Sequence, residues 1–444
     1  MDMQPRAGGE VVCILYGRKY RLTEEFIAKH PGGRDLLWGA VASGIDDLTA
    51  VFELHHLNID HARRMLETLR VTNSKEGDDK VSLTYGTGDD LYHELRGQVL
   101  AGFKRAGRGT MHRRRPTWRI VFLFVFTALL WLVTLCQTLK QGSYLCAMAT
   151  GILAVWLSGF GHIGVHSPFP ESRCMAWFLN LYGLSCTWWR VSHVINHHTF
   201  VNKTKDTGRP YDSYVDGWNP LLSFHPTRKR SLLMRACALW HHGLFMMGTT
   251  LDHPLTYFKP LMRGTSRVPL MLTQLIFPGL WALYALAAAG GALQGTCLFS
   301  TTVATASLYF LNIAHMNHNQ DESWTEAEFG SLGIAEWQIR NTVDIQIPGN
   351  PKPGSWADLI GSMALCFLNR HTAHHLFPSV DPSHFGIVEE AKAMVCSKHN
   401  ISLVQKSIWA CYVDMVRQMM PIDALGIART KQWPLHCVVR SKLA

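Results

Sequence analysis

Trp189-Arg-Val-Ser-His193-Val-Ile-Asn-His197-His198-Thr199 puts three imidazoles within six residues. On a helix, His193 and His197 stand one turn apart on one face, with His198 beside them. Neutral imidazole is the usual nitrogen ligand for iron, zinc or copper. Two further clusters flank this stretch. Gly161-His162-Ile163-Gly-Val-His166 lies upstream with the same i, i+4 spacing, and His371-Thr-Ala-His374-His375-Leu-Phe-Pro378 lies far downstream. The eight histidines fall into an HxxxH, an HxxxHH and an HxxHH box, more than a single zinc needs. Two metals sharing one histidine cage is the economical reading.

The rest of the chain explains how such distant boxes meet. Its 444 residues are 47% hydrophobic and only 17% charged, apolar for a soluble enzyme. The net charge is +10. Because the basic surplus sits beside apolar runs, it points to an anionic membrane surface and away from nucleic acid. The 11 cysteines are scattered with no CxxC, as expected of reduced thiols on the cytosolic side. Met1 to Glu10 has no apolar core of the kind a secretory signal carries.

Ile120 to Leu135 is almost purely apolar, and with its flanks (117–139) reaches the roughly 20 residues a membrane span needs. Residues 143–161 follow as a second span, and 268–290 with 293–313 make a second hairpin. Met175 to Trp189 and Leu232 to Met247 are interrupted by polar or small residues and read as interfacial helices. Basic residues collect outside the hairpins, at Arg113 to Arg115, Lys203, Lys205, Arg228 to Arg230, Arg263 and Arg267. The positive-inside rule then puts both termini, the long central segment and all three boxes in the cytosol. His315 and His318 follow the fourth span as the second-span end carries His162 and His166. His315 is the expected ninth ligand, with His318, and Asn312 through a water, as further candidates.

The N-terminal stretch is of another kind. Val11 to Tyr16 and Lys19 to Leu22 read as a strand pair around a turn, and Thr23 as the cap of a helix over Glu24 to Lys29. His30-Pro-Gly-Gly33 leaves an imidazole on a fixed backbone, and a second helical stretch reaches His55-His56. One histidine from each side of a cleft is how a six-coordinate haem is held. Thr72 to Gly88 reads as a polar linker, and Asp89 to Lys104 as an amphipathic helix with the stripe Leu91, Leu95, Val99 and Phe103.

Residues 11–71 resemble a cytochrome b5 domain, with His30 as one axial ligand of haem b. In fused desaturases the other follows four residues after the phenylalanine of a D-x-T-x-x-F run. In Asp47-Leu-Thr49-Ala-Val-Phe52-Glu-Leu-His55-His56 that residue is His56, with His55 as the alternative. From Pro116 to about Met420 the three boxes resemble the membrane-bound, histidine-box fatty acid desaturases, and the fusion points to the front-end group. Trp337-Gln338-Ile-Arg-Asn341-Thr342-Val-Asp344 resembles the stretch that precedes their third box. Ile163 stands where the first box often has an acid, and His371 where front-end enzymes most often have glutamine.

The resemblance implies an N-terminal α+β cytochrome b5-like haem domain fused to an all-α polytopic membrane domain with four transmembrane helices and a cytosolic di-iron cap. The expected division is a tail (1–10), the haem domain (11–75), linker and amphipathic helix (76–115) and the desaturase domain (116–444). Two non-haem irons would be held by His162, His166, His193, His197, His198, His371, His374 and His375, with His315 added. Asp206 and Asp212 would orient ligand histidines. Electrons from an NADH-dependent cytochrome b5 reductase would pass through the haem, and O2 would be reduced as a long acyl chain is desaturated, in the endoplasmic reticulum membrane. A hydroxylase or sphingoid-base desaturase on the same scaffold, a non-catalytic haem electron carrier and a zinc hydrolase are the competing readings.

Overall fold

The computed structural model of the chain describes residues 11–43, 45–71, 85, 89–109, 115–182, 186–203, 275–318, 320 and 331–419. It is mostly helical, with one short two-stranded sheet near each end.

β1 (Val11–Leu15) and β2 (Arg18–Leu22) pair antiparallel, from Val11 opposite Leu22 to Leu15 opposite Arg18. Tyr16 and Gly17 turn the chain at φ 51° and 69°, the conformation of a two-residue hairpin. Side-chain alternation buries Cys13, Leu15, Tyr20 and Leu22. Four short helices contribute to that core: α1 (Glu24–Lys29), α2 (Arg34–Ala42), α3 (Thr49–His55) and α4 (Ile59–Glu67). Thr23 and Asn58 cap α1 and α4 by accepting from the backbone N–H three residues on. Ile195 and Phe200, from the second histidine box, complete this small core.

α5 (Asp90–Arg105) buries its stripe of Leu91, Leu95, Val99 and Phe103 in a core shared with Ala50 and Leu54 of α3 and with Trp337, Leu376 and Val388. Arg96, buried on α5, pairs with Glu53 of α3 at 2.6 Å. The N-terminal unit is therefore packed on the rest of the chain through α3 and the second box.

Three helices among the described residues are long and apolar enough to cross a membrane: α6 (Trp118–Gln141), α7 (Tyr144–Val165) and the helix Gly291–Met316. Gly142, in the left-handed conformation, ends α6, and Ser143 caps α7 by accepting from Cys146 N–H, so the hairpin turns in two residues. α6 turns Phe122, Phe126, Leu129 and Val133 outward, as a lipid-facing helix does. Of the third expected span, 268–290, the described part holds a helix of 12 residues, Ile276–Ala287, and 268–274 lie outside the described residues. The interfacial helix expected over 232–247 also lies outside them.

α7 is the central helix, and small residues let it approach its neighbours. A Cβ at Gly151 would sit 2.4 Å from the Thr302 carbonyl oxygen, so Gly151→Ala must push two helices apart. Overpacking of this kind costs about 1–3 kcal/mol. Gly97 on α5 has open space around it, and alanine there relieves about 0.5–1 kcal/mol of helix entropy cost. Thermal unfolding in detergent should therefore move down for Gly151→Ala and up for Gly97→Ala.

Candidate metal centre

Box one closes α7: His162 is in its last turn and His166 is its C-cap, so the i, i+4 spacing points both rings the same way. Box two lies on a π-helix, Arg190–His197, in which the His198 N–H bonds the His193 carbonyl five residues back. Such segments are rare and gather at functional sites. The wider turn puts His193 and His198 in one group and His197 in the other. As expected of one face, the His193 and His197 rings still stack at 5.1 Å between centroids. Box three is a short α-helix, His371–Leu376, so His371 and His375 do share a face and His374 departs from it.

The result is two adjacent groups of buried imidazoles. His162, His166, His193, His198 and His374 form one; His197, His318, His371 and His375 form the other. Within each group the candidate ligand atoms lie within 4.8 Å of one another. The groups abut: the His198 and His375 rings, one from each, stack at 4.3 Å between centroids.

His162 Nε2 lies 2.7 Å from His193 Nε2 and 3.1 Å from His374 Nε2. In the second group His318 Nε2 lies 2.7 Å from His371 Nε2 and 3.1 Å from His197 Nε2. A ring nitrogen has one hydrogen or one lone pair to offer, so one facing two others cannot satisfy both by hydrogen bonds. A shared cation can: nitrogens about 2.0–2.1 Å from one ion and at right angles to each other are about 3 Å apart. Among the described residues, both ring nitrogens of His166, and His375 Nε2, are buried without a hydrogen-bond partner. Burial, reinforced by neighbouring imidazoles, holds His166, His193, His198, His318, His371, His374 and His375 well below the ordinary imidazole range. They stay neutral, the form that ligates metals. The donor set fits a pair of metal ions.

Polar contacts behind the rings fix them. His318 Nδ1 donates to the Asn341 carbonyl at 3.2 Å. The Asp344 carboxylate accepts from Thr372 N–H at 2.9 Å, anchoring the start of the third-box helix, and is itself paired with buried Lys392. Burial pulls the Lys392 ammonium down, but Asp344 and Glu389 outweigh it and its pKa rises. Beside the histidines, Trp189, Phe310, Ala314 and Leu368 form the apolar wall of a cavity that touches both groups.

His315, expected as the ninth ligand, is buried in the last turn of the Gly291–Met316 helix but outside both groups. His318, two residues past that helix, joins the second. Asn312 donates its amide to the Leu308 carbonyl at 2.6 Å. Asp206 and Asp212 lie outside the described residues. Sequence reasoning singled out no role for Gln338 or Asn341, although the Trp337-Gln338 stretch was marked by its likeness to the family.

A separate pair of imidazoles sits in the N-terminal unit. The His30 and His56 rings face each other at 5.9 Å between centroids. One metal ion between two imidazoles needs roughly 6 Å, from metal–nitrogen bonds of about 2 Å on each side. His56 Nδ1 donates to the Phe52 carbonyl at 2.8 Å, which puts the ring's lone pair on Nε2. The Gly32 N–H approaches His30 Nδ1 at 3.2 Å, holding that ring to its turn. His55 points the other way, its Nε2 3.1 Å from the Val194 carbonyl in the second box.

The fatty acid desaturase family model matches residues 141–407, more than half the chain and all three boxes. An acyl-lipid (8-3)-desaturase of Physcomitrium patens is 24% identical over 88% of this chain and 83% of its own length. An acyl-lipid omega-13 desaturase of Chlamydomonas reinhardtii is 24% identical over 88% of this chain and 89% of its own. A cytochrome b5-related protein of Drosophila melanogaster is 25% identical over 80% of this chain and 76% of its own. No solved structure matches. With boxes that gather into buried nitrogen groups at the ends of apolar helices, the chain belongs to the fatty acid desaturase family and is an oxidoreductase of that class.

Proposed function

We propose that this desaturase installs a double bond in a long acyl chain at a pair of non-haem irons, with electrons delivered through haem b in the N-terminal unit, residues 11–75. The convergence of five and four imidazoles into two touching groups carries the reading. His162, His166, His193, His198 and His374 would hold one ion; His197, His318, His371 and His375 would hold the other, with His318 rather than His315 as the ninth ligand. When bound, the metal pair supplies the oxidation: one O2 takes two hydrogens from neighbouring methylenes, two electrons and two protons, and leaves as two waters.

The protein's own work is positional. Neutral imidazoles leave positive charge at the centre. The wall of Trp189, Phe310, Ala314 and Leu368 supports an unfunctionalised chain held in one register against both groups, away from water. His30 and His56 would hold the haem, which would supply one-electron transfer there. An NADH-dependent cytochrome b5 reductase is the proposed donor, and the names of the relatives favour an acyl lipid as substrate.

Box one ends the second helix of the first hairpin, and His315 and His318 end the last long span, which supports one cytosolic side for the site. The full reading is a multi-pass protein of the endoplasmic reticulum with four spans, the third over 268–290, and both termini cytosolic.

Expression in yeast fed a panel of unsaturated fatty acids, with lipid profiling by mass spectrometry, tests this. A product lighter by two hydrogens is expected, and its double-bond position defines regiochemistry. A product heavier by one oxygen would replace the reading with a hydroxylase. No new fatty-acyl or sphingoid product despite a normal haem spectrum would leave an electron carrier.

A further inference from the structure

Gln338 is fully buried on the helix Ile334–Arg340, between boxes two and three. Its side chain reaches both. The amide Nε2 lies 2.7 Å from the His198 carbonyl oxygen, and the amide oxygen lies 2.9 Å from His375 Nδ1. A carbonyl only accepts, so the NH2 end must face His198. The oxygen then faces His375 and can only accept, so the hydrogen of His375 sits on Nδ1. That leaves the lone pair on Nε2, the buried atom that no group among the described residues engages.

His198 and His375 belong to different metal groups, and their rings are stacked. The helix that carries Gln338 is itself fastened. Trp337 Nε1 donates to the Val201 carbonyl at 2.9 Å, and Thr342 Oγ1 donates to the Gln338 carbonyl at 2.7 Å. The amide is thus a fixed strut and not a swinging surface group.

We propose that Gln338 is a positioning residue that sets the His375 tautomer and ties the third box to the second, so fixing the spacing of the two metal sites. The inference rests on the two-iron reading. It predicts unequal losses for two substitutions. Gln338→Leu removes the acceptor and the donor together, and losing such a partner behind a ligand histidine costs about 10–100-fold in metal affinity. Gln338→Glu keeps the acceptor behind the His375 ring but loses the NH2 that donates to the His198 carbonyl, so it keeps the tautomer and gives up the tie between the boxes.

The experiment is iron titration of the purified full-length protein, with iron per chain and dissociation constants measured for wild type and both variants. Wild type should take up two irons. Gln338→Leu should lose about 10–100-fold in affinity at one of them with an unchanged haem spectrum. Gln338→Glu should lose clearly less than Gln338→Leu. A role in packing alone would weaken both variants alike, so a Glu variant that falls as far as the Leu variant overturns the proposal, as does a Leu variant with wild-type affinity. If Gln338→Leu does not fold, Gln338→Met, which also lacks the amide, takes its place under the same criterion. Wild-type protein that binds no iron would defeat the two-iron reading itself, a separate outcome.

Discussion

Replacing His197 and His198 together with alanine should take desaturation below detection and release iron, while the haem spectrum of the N-terminal unit stays that of wild type. The π-helix makes this pair the sharpest choice. His197 faces His318, His371 and His375, whereas its chain neighbour His198 faces His166, His193 and His374, so one double substitution removes a ligand atom from each group. Loss of a hydrogen-bond partner one bond further out already costs about 10–100-fold in affinity, so direct loss at both ions should exceed a hundredfold. The measurement is metal content by elemental analysis beside the lipid profile. Retained product would mean that the two groups are packing clusters and that the reaction runs elsewhere. Alanine at His315 is the matched comparison: it removes a buried imidazole outside both groups and should leave two irons bound.

The boxes were legible because ligand chemistry is written in residue type. Histidines at i, i+4 at the ends of apolar runs have few other uses, and three apolar runs became helices of membrane length. The partition of the histidines between the two groups was not legible. It depends on Arg190–His197 bonding i to i+5, and a sequence periodicity presumes 3.6 residues per turn. The order of His315 and His318 was hidden for a similar reason. By helical phase, His315 follows the span and Asn312; but the helix stops at Met316, and His318 is aimed by the carbonyl of Asn341, 23 residues away in sequence. Gln338 depends on two such long-range contacts, to residues 140 before and 37 after it. Local spacing records which side chains can bind a metal, while the aim of each ring is decided by backbone groups that only the folded chain brings near.

His30→Ala and His56→Ala should each abolish the haem absorbance of the protein and, in a host without its own cytochrome b5, take desaturation below detection; His55→Ala should keep the haem. The three adjacent choices separate on geometry. His30 and His56 face each other at a spacing that suits one iron between them, and the Phe52 carbonyl fixes the His56 tautomer with the lone pair on Nε2. The two rings together would hold the haem, which would supply electron transfer there, and loss of either ring would release it. His55 is buried against the second box, bonded to the carbonyl of Val194, the residue after His193. Its removal strands that carbonyl and should cost about 1–3 kcal/mol of stability, read as an earlier melt with the haem spectrum intact. On the proposed reading, electrons entering at His30 and His56 would have a short packed route: α3 ends at His55, and His55 touches the backbone of the π-helix that carries histidines of both groups. Haem loss in His55→Ala with haem retained in His56→Ala would exchange the two assignments and with them the face the N-terminal unit presents to the metal site.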